Sequence, residues 1–144
     1  MRTRTGLLGT LSPEHAARLR QLGREVAFSS GERIFEEGDR ADRFWIVHTG
    51  SVTLEQRVPG RSAQVVENIS HGELLGWSWF FPPFAWHLSG EAGSPVRALE
   101  FDAAEVRALC ERDHELGYAL ALAVGEIVSH RLQRSRSRLI DLYG

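Results

Sequence analysis

The chain has 144 residues, a formal net charge of −2, 42% hydrophobic residues and 25% charged ones. That is enough for one domain around one core, and the slightly acidic balance excludes a nucleic-acid binder that relies on whole-domain basic charge. One cysteine, Cys110, excludes an internal disulfide and a multi-cysteine zinc site, and its helical setting points to an inert thiol.

Residues 1–10 are expected to form a flexible N-terminus, and 11–144 a single domain. The apolar run after Met1 is too short for a signal peptide, and none approaches the ~20 residues that span a membrane, so a cytoplasmic protein is expected. Ser12-Pro13-Glu14 starts a helix: a capping hydroxyl, a proline at the first helical position and an acid at the positive end of the dipole. Leu11, Ala16, Leu19 and Leu22 give it an apolar stripe, and Gly23 ends it.

From Arg24 to Phe101, short β-type runs alternate with glycine-bearing turns. The expected strands are Val26–Phe28, Arg33–Phe35, Phe44–Val47, Ser51–Val58, Ala63–Ile69, Trp86–Leu88 and Val96–Phe101. Val52, Leu54 and Val58 share one buried face. Within this span, Gly76–Leu88 holds three of the four tryptophans, three phenylalanines and Pro82-Pro83. So many rings must fill a core, line a pocket or form an adhesive patch.

Asp102-Ala103-Ala104-Glu105 is a capping box opening a helix through about Glu111. Asp113 caps a longer one, 114–142. Leu116, Leu120, Ala123, Val124 and Ile127 make one broad face for the β-structure. Tyr118, Ala121, Gly125, Val128, Leu132, Ser135, Leu139 and Leu142 alternate in steps of three and four, a coiled-coil seam that predicts a parallel homodimer.

The segment Ile34–Gly50, with Gly38-Asp39, the apolar quartet Phe44-Trp45-Ile46-Val47 and Gly50, resembles the cyclic-nucleotide-binding-domain family, which includes the sensor halves of catabolite-activator and fumarate-nitrate type regulators. The resemblance implies a mainly β fold with flanking helices: a double-stranded β-helix (jelly-roll) barrel, a short N-terminal helix and a long C-terminal dimerisation helix. It also implies that Gly72–Gly76 leads into a phosphate-binding cassette, with a short helix facing the cyclic phosphate. Nucleotide-binding members begin that helix with a glutamate for the ribose hydroxyl and carry an Arg-Ser/Thr-Ala triplet some ten residues later. Those positions are Trp77 and Trp86-His87-Leu88 here, so the carboxylate and the guanidinium are both replaced by tryptophan.

A buried cyclic phosphate without a cation partner is costly, so cAMP or cGMP is not expected in the usual mode. Gly76, Trp77, Ser78, Trp79, Phe84, Trp86 and His87 are the candidate ligand-binding residues, for an apolar, aromatic or cationic small molecule. Two alternatives stay open: a ligand-free protein-interaction module filled by its own tryptophans, and the sensor part of a Crp/Fnr-type transcription regulator. No helix-turn-helix follows Leu142, so direct DNA binding is not expected, and Arg131, Arg134, Arg136 and Arg138 are expected to form a solvated helix surface. No catalytic residues, cofactor, metal or membrane partner are expected. His48, His71 and His87 are the candidates for haem, each isolated in sequence, and Ser78 has no evident partner.

Overall fold

A computed structural model describes residues 6–143, with side chains through Ser137. The core is organised by β3 (Arg43–Thr49), whose Phe44, Trp45, Ile46 and Val47 are all buried. Four successive buried residues on an extended strand require cover on both faces. Phe44 stacks on Phe101 at 4.8 Å, while Trp45 faces Phe35 at 5.7 Å.

β3 lies in a sheet of order β1-β8-β3-β6, where β1 is Arg24–Phe28, β6 Leu74–Leu75 and β8 Val96–Asp102. The second sheet, β2-β7-β4-β5, comprises Arg33–Phe35, Ser89–Ala92, Val52–Gln56 and Gln64–Ile69. All pairings are antiparallel. The two four-stranded sheets form the expected jelly-roll sandwich. At the turn after β3, Gly50 has φ 89°, and a Cβ there would lie 2.1 Å from the Pro95 carbonyl oxygen, so glycine alone fits.

Glu100, 7% exposed, lies opposite Trp45 on β8. Its carboxylate accepts from Arg24 Nε and Nη2 at 3.0 and 2.6 Å and from Trp45 Nε1 at 3.0 Å. Burial alone would raise its pKa, but the bonds from Arg24 and Trp45, with Arg43 nearby, outweigh burial and hold it below the ordinary value.

The helix caps follow the sequence. Ser12 Oγ accepts from the His15 N–H at 3.2 Å to start α2 (Pro13–Arg20), after a short helix α1 (Gly6–Thr10). Asp102 Oδ1 caps α3 (Ala103–Arg112) through the Glu105 N–H at 3.0 Å. Asp113 Oδ1 accepts from the Leu116 N–H at 3.1 Å at the start of α4 (His114–Tyr143). Leu116, Leu120, Ala123 and Val124 of α4 are buried, whereas Tyr118, Ala121, Gly125 and Leu132 are exposed and Val128 is half-buried. Leu139 lies outside the residues whose side chains are described. Burial, with Asp113 and Glu111 nearby, pushes the half-buried Cys110 thiol above its usual pKa.

Two expectations need correction. The N-terminus is not flexible throughout 1–10: Gly6–Thr10 is helical because Leu7 has an apolar site to fill, and it is fully buried; residues 1–5 lie outside the described residues. Trp86–Leu88 is not a strand, and β7 begins at Ser89. The chain at Phe84–Trp86 bonds instead to the β2–β3 turn: the Ala41 N–H donates to Phe84 O at 2.7 Å, and the Trp86 N–H to Asp39 O at 2.9 Å.

Candidate functional site

The segment between β6 and β7 is positioned by Gly76, whose φ of 95° turns the chain sharply. A Cβ at Gly76 would come within 2.6 Å of the Trp86 ring, so the missing side chain is the space that the indole occupies. Trp86 is 6% exposed. It stacks on Phe35 at 4.3 Å and faces Trp45 at 6.1 Å, forming a three-ring stack inside the roll.

The expected short helix is a single 3-10 turn, Ser78–Phe80, with no side-chain cap. One turn offers little aligned dipole to a phosphate. Trp79 within it is fully buried: its Nε1 donates to the Gly76 carbonyl at 3.0 Å, and its ring stacks on Phe44 at 4.0 Å. Phe84, with φ 59°, lies under the Arg107 guanidinium at 4.6 Å. Arg107 Nη1 also donates to the Trp79 carbonyl at 2.7 Å, so α3 clamps the segment at two points.

Five of the seven candidate residues meet around one cavity: Gly76, Trp77, Ser78, Trp86 and His87, joined by Phe35, Leu54, Leu88 and Arg131. Trp79 and Phe84 are not part of its lining. The cavity measures 40 Å³. One water needs about 10–15 Å³ of such space, whereas pockets for small organic ligands run to about 300–1,000 Å³. At its mouth the half-buried Trp77 stacks on the exposed His87 at 5.4 Å. Ser78 does have a partner, contrary to expectation: its Oγ lies 3.1 Å from His87 Nδ1. The two stand nine residues apart, and the tightly wound aromatic segment folds one back over the other.

Sequence reasoning also missed Arg107 and Arg131. For Arg107 no sequence signal was available. Arg131 stands four residues after Ile127 and seven after Val124, which puts it on the face of α4 that meets the roll. The expected solvated arginine surface is corrected there: Arg131 Nη2 donates to the Leu74 carbonyl, and Arg134 is paired with Glu67. Arg136 is exposed, and the side chain of Arg138 lies outside the described residues.

His48, near the end of β3, and His71, in the turn before β6, are both exposed, with His71 Nδ1 2.6 Å from the His48 carbonyl oxygen. Among the described residues no group of three or more His, Cys, Asp or Glu side chains is placed to hold a metal ion, and no helix is long and apolar enough to cross a membrane.

Residues 25–113 match the family model described as the cyclic nucleotide-binding domain. A CRP-like cAMP-activated global transcriptional regulator of Mycobacterium tuberculosis is 25% identical over 139 residues, which are 96% of this chain and 60% of that protein. The chain thus spans 60% of the length of the curated relatives it matches. The N-terminal domain of a transcriptional regulator from Streptomyces coelicolor superimposes with a TM-score of 0.72 and 27% identity, over 92% of this chain and 90% of that one. The Thermus thermophilus catabolite activator protein shares the fold, with a TM-score of 0.77 and 22% identity over 95% of this chain and 62% of its own.

Proposed function

The chain belongs to the cyclic nucleotide-binding domain family, a family of non-enzymatic small-molecule sensor domains, and from this premise we propose that it is a regulatory module whose cassette is closed by its own tryptophans. It does not take cAMP or cGMP in the usual mode. Trp86 carries this reading: it lies on Phe35 inside the roll and leaves a cavity of 40 Å³ beside it. The tryptophans at positions 77 and 86, where the resemblance expects a ribose-binding carboxylate and a phosphate-binding guanidinium, support it further.

The exposed seam of Tyr118, Ala121, Gly125 and Leu132 supports a homodimer through α4. Partner proteins would meet the exposed tip of Phe81, Pro82 and Pro83. Because its relatives are transcription regulators that it matches over only part of their length, the module fits the sensor portion of such a regulator.

The test is equilibrium dialysis and thermal shift with cAMP and cGMP at millimolar concentration. No binding is expected, and micromolar binding by the unaltered protein would sink the proposal.

A second reading rests on the Trp77–His87 pair at the cavity mouth. A flat aromatic or cationic molecule that displaced Trp77 would gain the faces of His87 and Trp86. Tryptophan fluorescence with a panel of aromatic and quaternary-ammonium metabolites checks it: a saturable change abolished by Trp77→Ala supports this reading, and a flat response rejects it.

A further inference from the structure

On the other side of Arg131 from the cassette lies a second and larger space. It measures 420 Å³ and lies between α1, the β5–β6 turn and α4. We propose that this groove is a ligand site for a small carboxylic acid that also carries amino or hydroxyl groups, with Arg131 as the anchor of its carboxylate.

Arg131 carries a charge that no bonded carboxylate balances. Arg131 is half-buried and bonds to the Leu74 carbonyl, a neutral acceptor. Among the described residues no carboxylate lies within ion-pair distance of it, whereas Arg134, one turn along the same helix, is paired with Glu67. Burial pulls the Arg131 guanidinium below its usual pKa, and Glu73 offsets this from a distance. A guanidinium withdrawn from water without a bonded counter-ion is costly, and a carboxylate entering the groove removes that cost. Planar two-point pairing with a carboxylate is the geometry that arginine favours.

The remaining walls select the rest of the ligand. Glu73 and Glu126 also line the groove and oppose a second negative charge, which disfavours phosphates and dicarboxylates. The same carboxylates accept hydrogen bonds from ligand amino or hydroxyl groups. His71 also lines the groove: its Nδ1 donates to the His48 carbonyl, which leaves Nε2 as the ring nitrogen open to a ligand. Leu74 and Ile127 supply apolar surface. Of the residues that line the groove, Arg131 alone also lines the cassette cavity.

The test is equilibrium dialysis and thermal shift on the full chain with each standard amino acid and lactate, against inorganic phosphate and ethanolamine as probes that lack one half of the chemistry. At least one acid is expected to bind saturably, at least about tenfold more tightly than either control. Arg131→Gln is expected to weaken it by about tenfold or more. Because that change also removes the bond to Leu74, Thr10→Trp gives a separate check: it fills the groove from an exposed position and leaves Arg131 in place. Binding by no acid, a control that binds as tightly as the best acid, or retention of binding in both variants overturns the proposal.

Discussion

Two stretches of the roll meet face to face and have followed different rules. The turn-and-strand segment Ile34–Gly50 keeps the glycine turns and the buried quartet on which the resemblance rests. The cassette segment Gly76–Leu88 turns at Gly76 and carries tryptophan at both positions where the resemblance implies a charged partner. They touch where Trp86 lies on Phe35, so the bulky residues of one are packed against the bulky residue of the other. The frame of this fold is set by backbone demands, glycines and a strand buried on both faces, while the pocket is set by side chains that the frame does not dictate.

The strongest way to break this contrast is to remove the ring that joins the two stretches. Trp86→Ala is expected to cost about 3–5 kcal/mol in urea unfolding, the range for truncating a large buried aromatic. A loss under about 1 kcal/mol would mean that the roll does not depend on its filling.

The frame side has its own weak point in Glu100. Because its carboxyl titrates below the ordinary value in the folded chain, the stability it contributes is fully present above the unfolded value near 4.5 and is lost as pH falls through the folded one. Glu100→Gln should cost about 2–3 kcal/mol near neutral pH and flatten the acid limb of the stability profile. An unchanged acid limb would show that Arg24 and Trp45 do not hold the charge.

If altering the cassette leaves the distant frame intact, the α4 seam should still associate. Leu132→Asp is then expected to raise the dimer dissociation constant by about tenfold or more in sedimentation, roughly 1.4 kcal/mol. A wild-type chain that sediments as a monomer at micromolar concentration would end the dimer reading. The smallest effect is expected at the rim: Trp77→Ala should cost about 1 kcal/mol, because the ring it removes is only half-buried. The gap between Trp86→Ala and Trp77→Ala measures how far filling and rim differ.

Much of the frame was legible because its signals are local. Ser12, Asp102 and Asp113 cap helices a few residues away, and the two faces of α4 are written in its spacing. What was not legible depends on contacts across the chain. Leu74–Leu75 is too short to announce a strand, and Ser89–Ala92 has no β-branched residue to mark it. Leu7 is buried by partners remote in sequence. In the cassette, the type of substitution was visible, but which indole turns inward was not: Trp86 and Trp79 are buried, Trp77 is not, and nothing in their spacing separates them. Arg131 was read as one arginine of a solvated run, although its helical phase with Val124 already placed it against the roll.

The ring seated over Gly76 has a consequence for how this sequence can change. Replacing Trp86 by arginine alone would not restore a phosphate partner. It would bury a guanidinium against Phe35 and Trp45 and leave a hole above a glycine whose left-handed backbone penalises any side chain placed there. If the cassette is closed as proposed, a route to nucleotide binding needs concerted changes at positions 35, 77 and 86, with unstable intermediates between them. Packing of this kind works as a ratchet: once an aromatic residue has become part of the core, selection for a ligand in its place meets the folding threshold first.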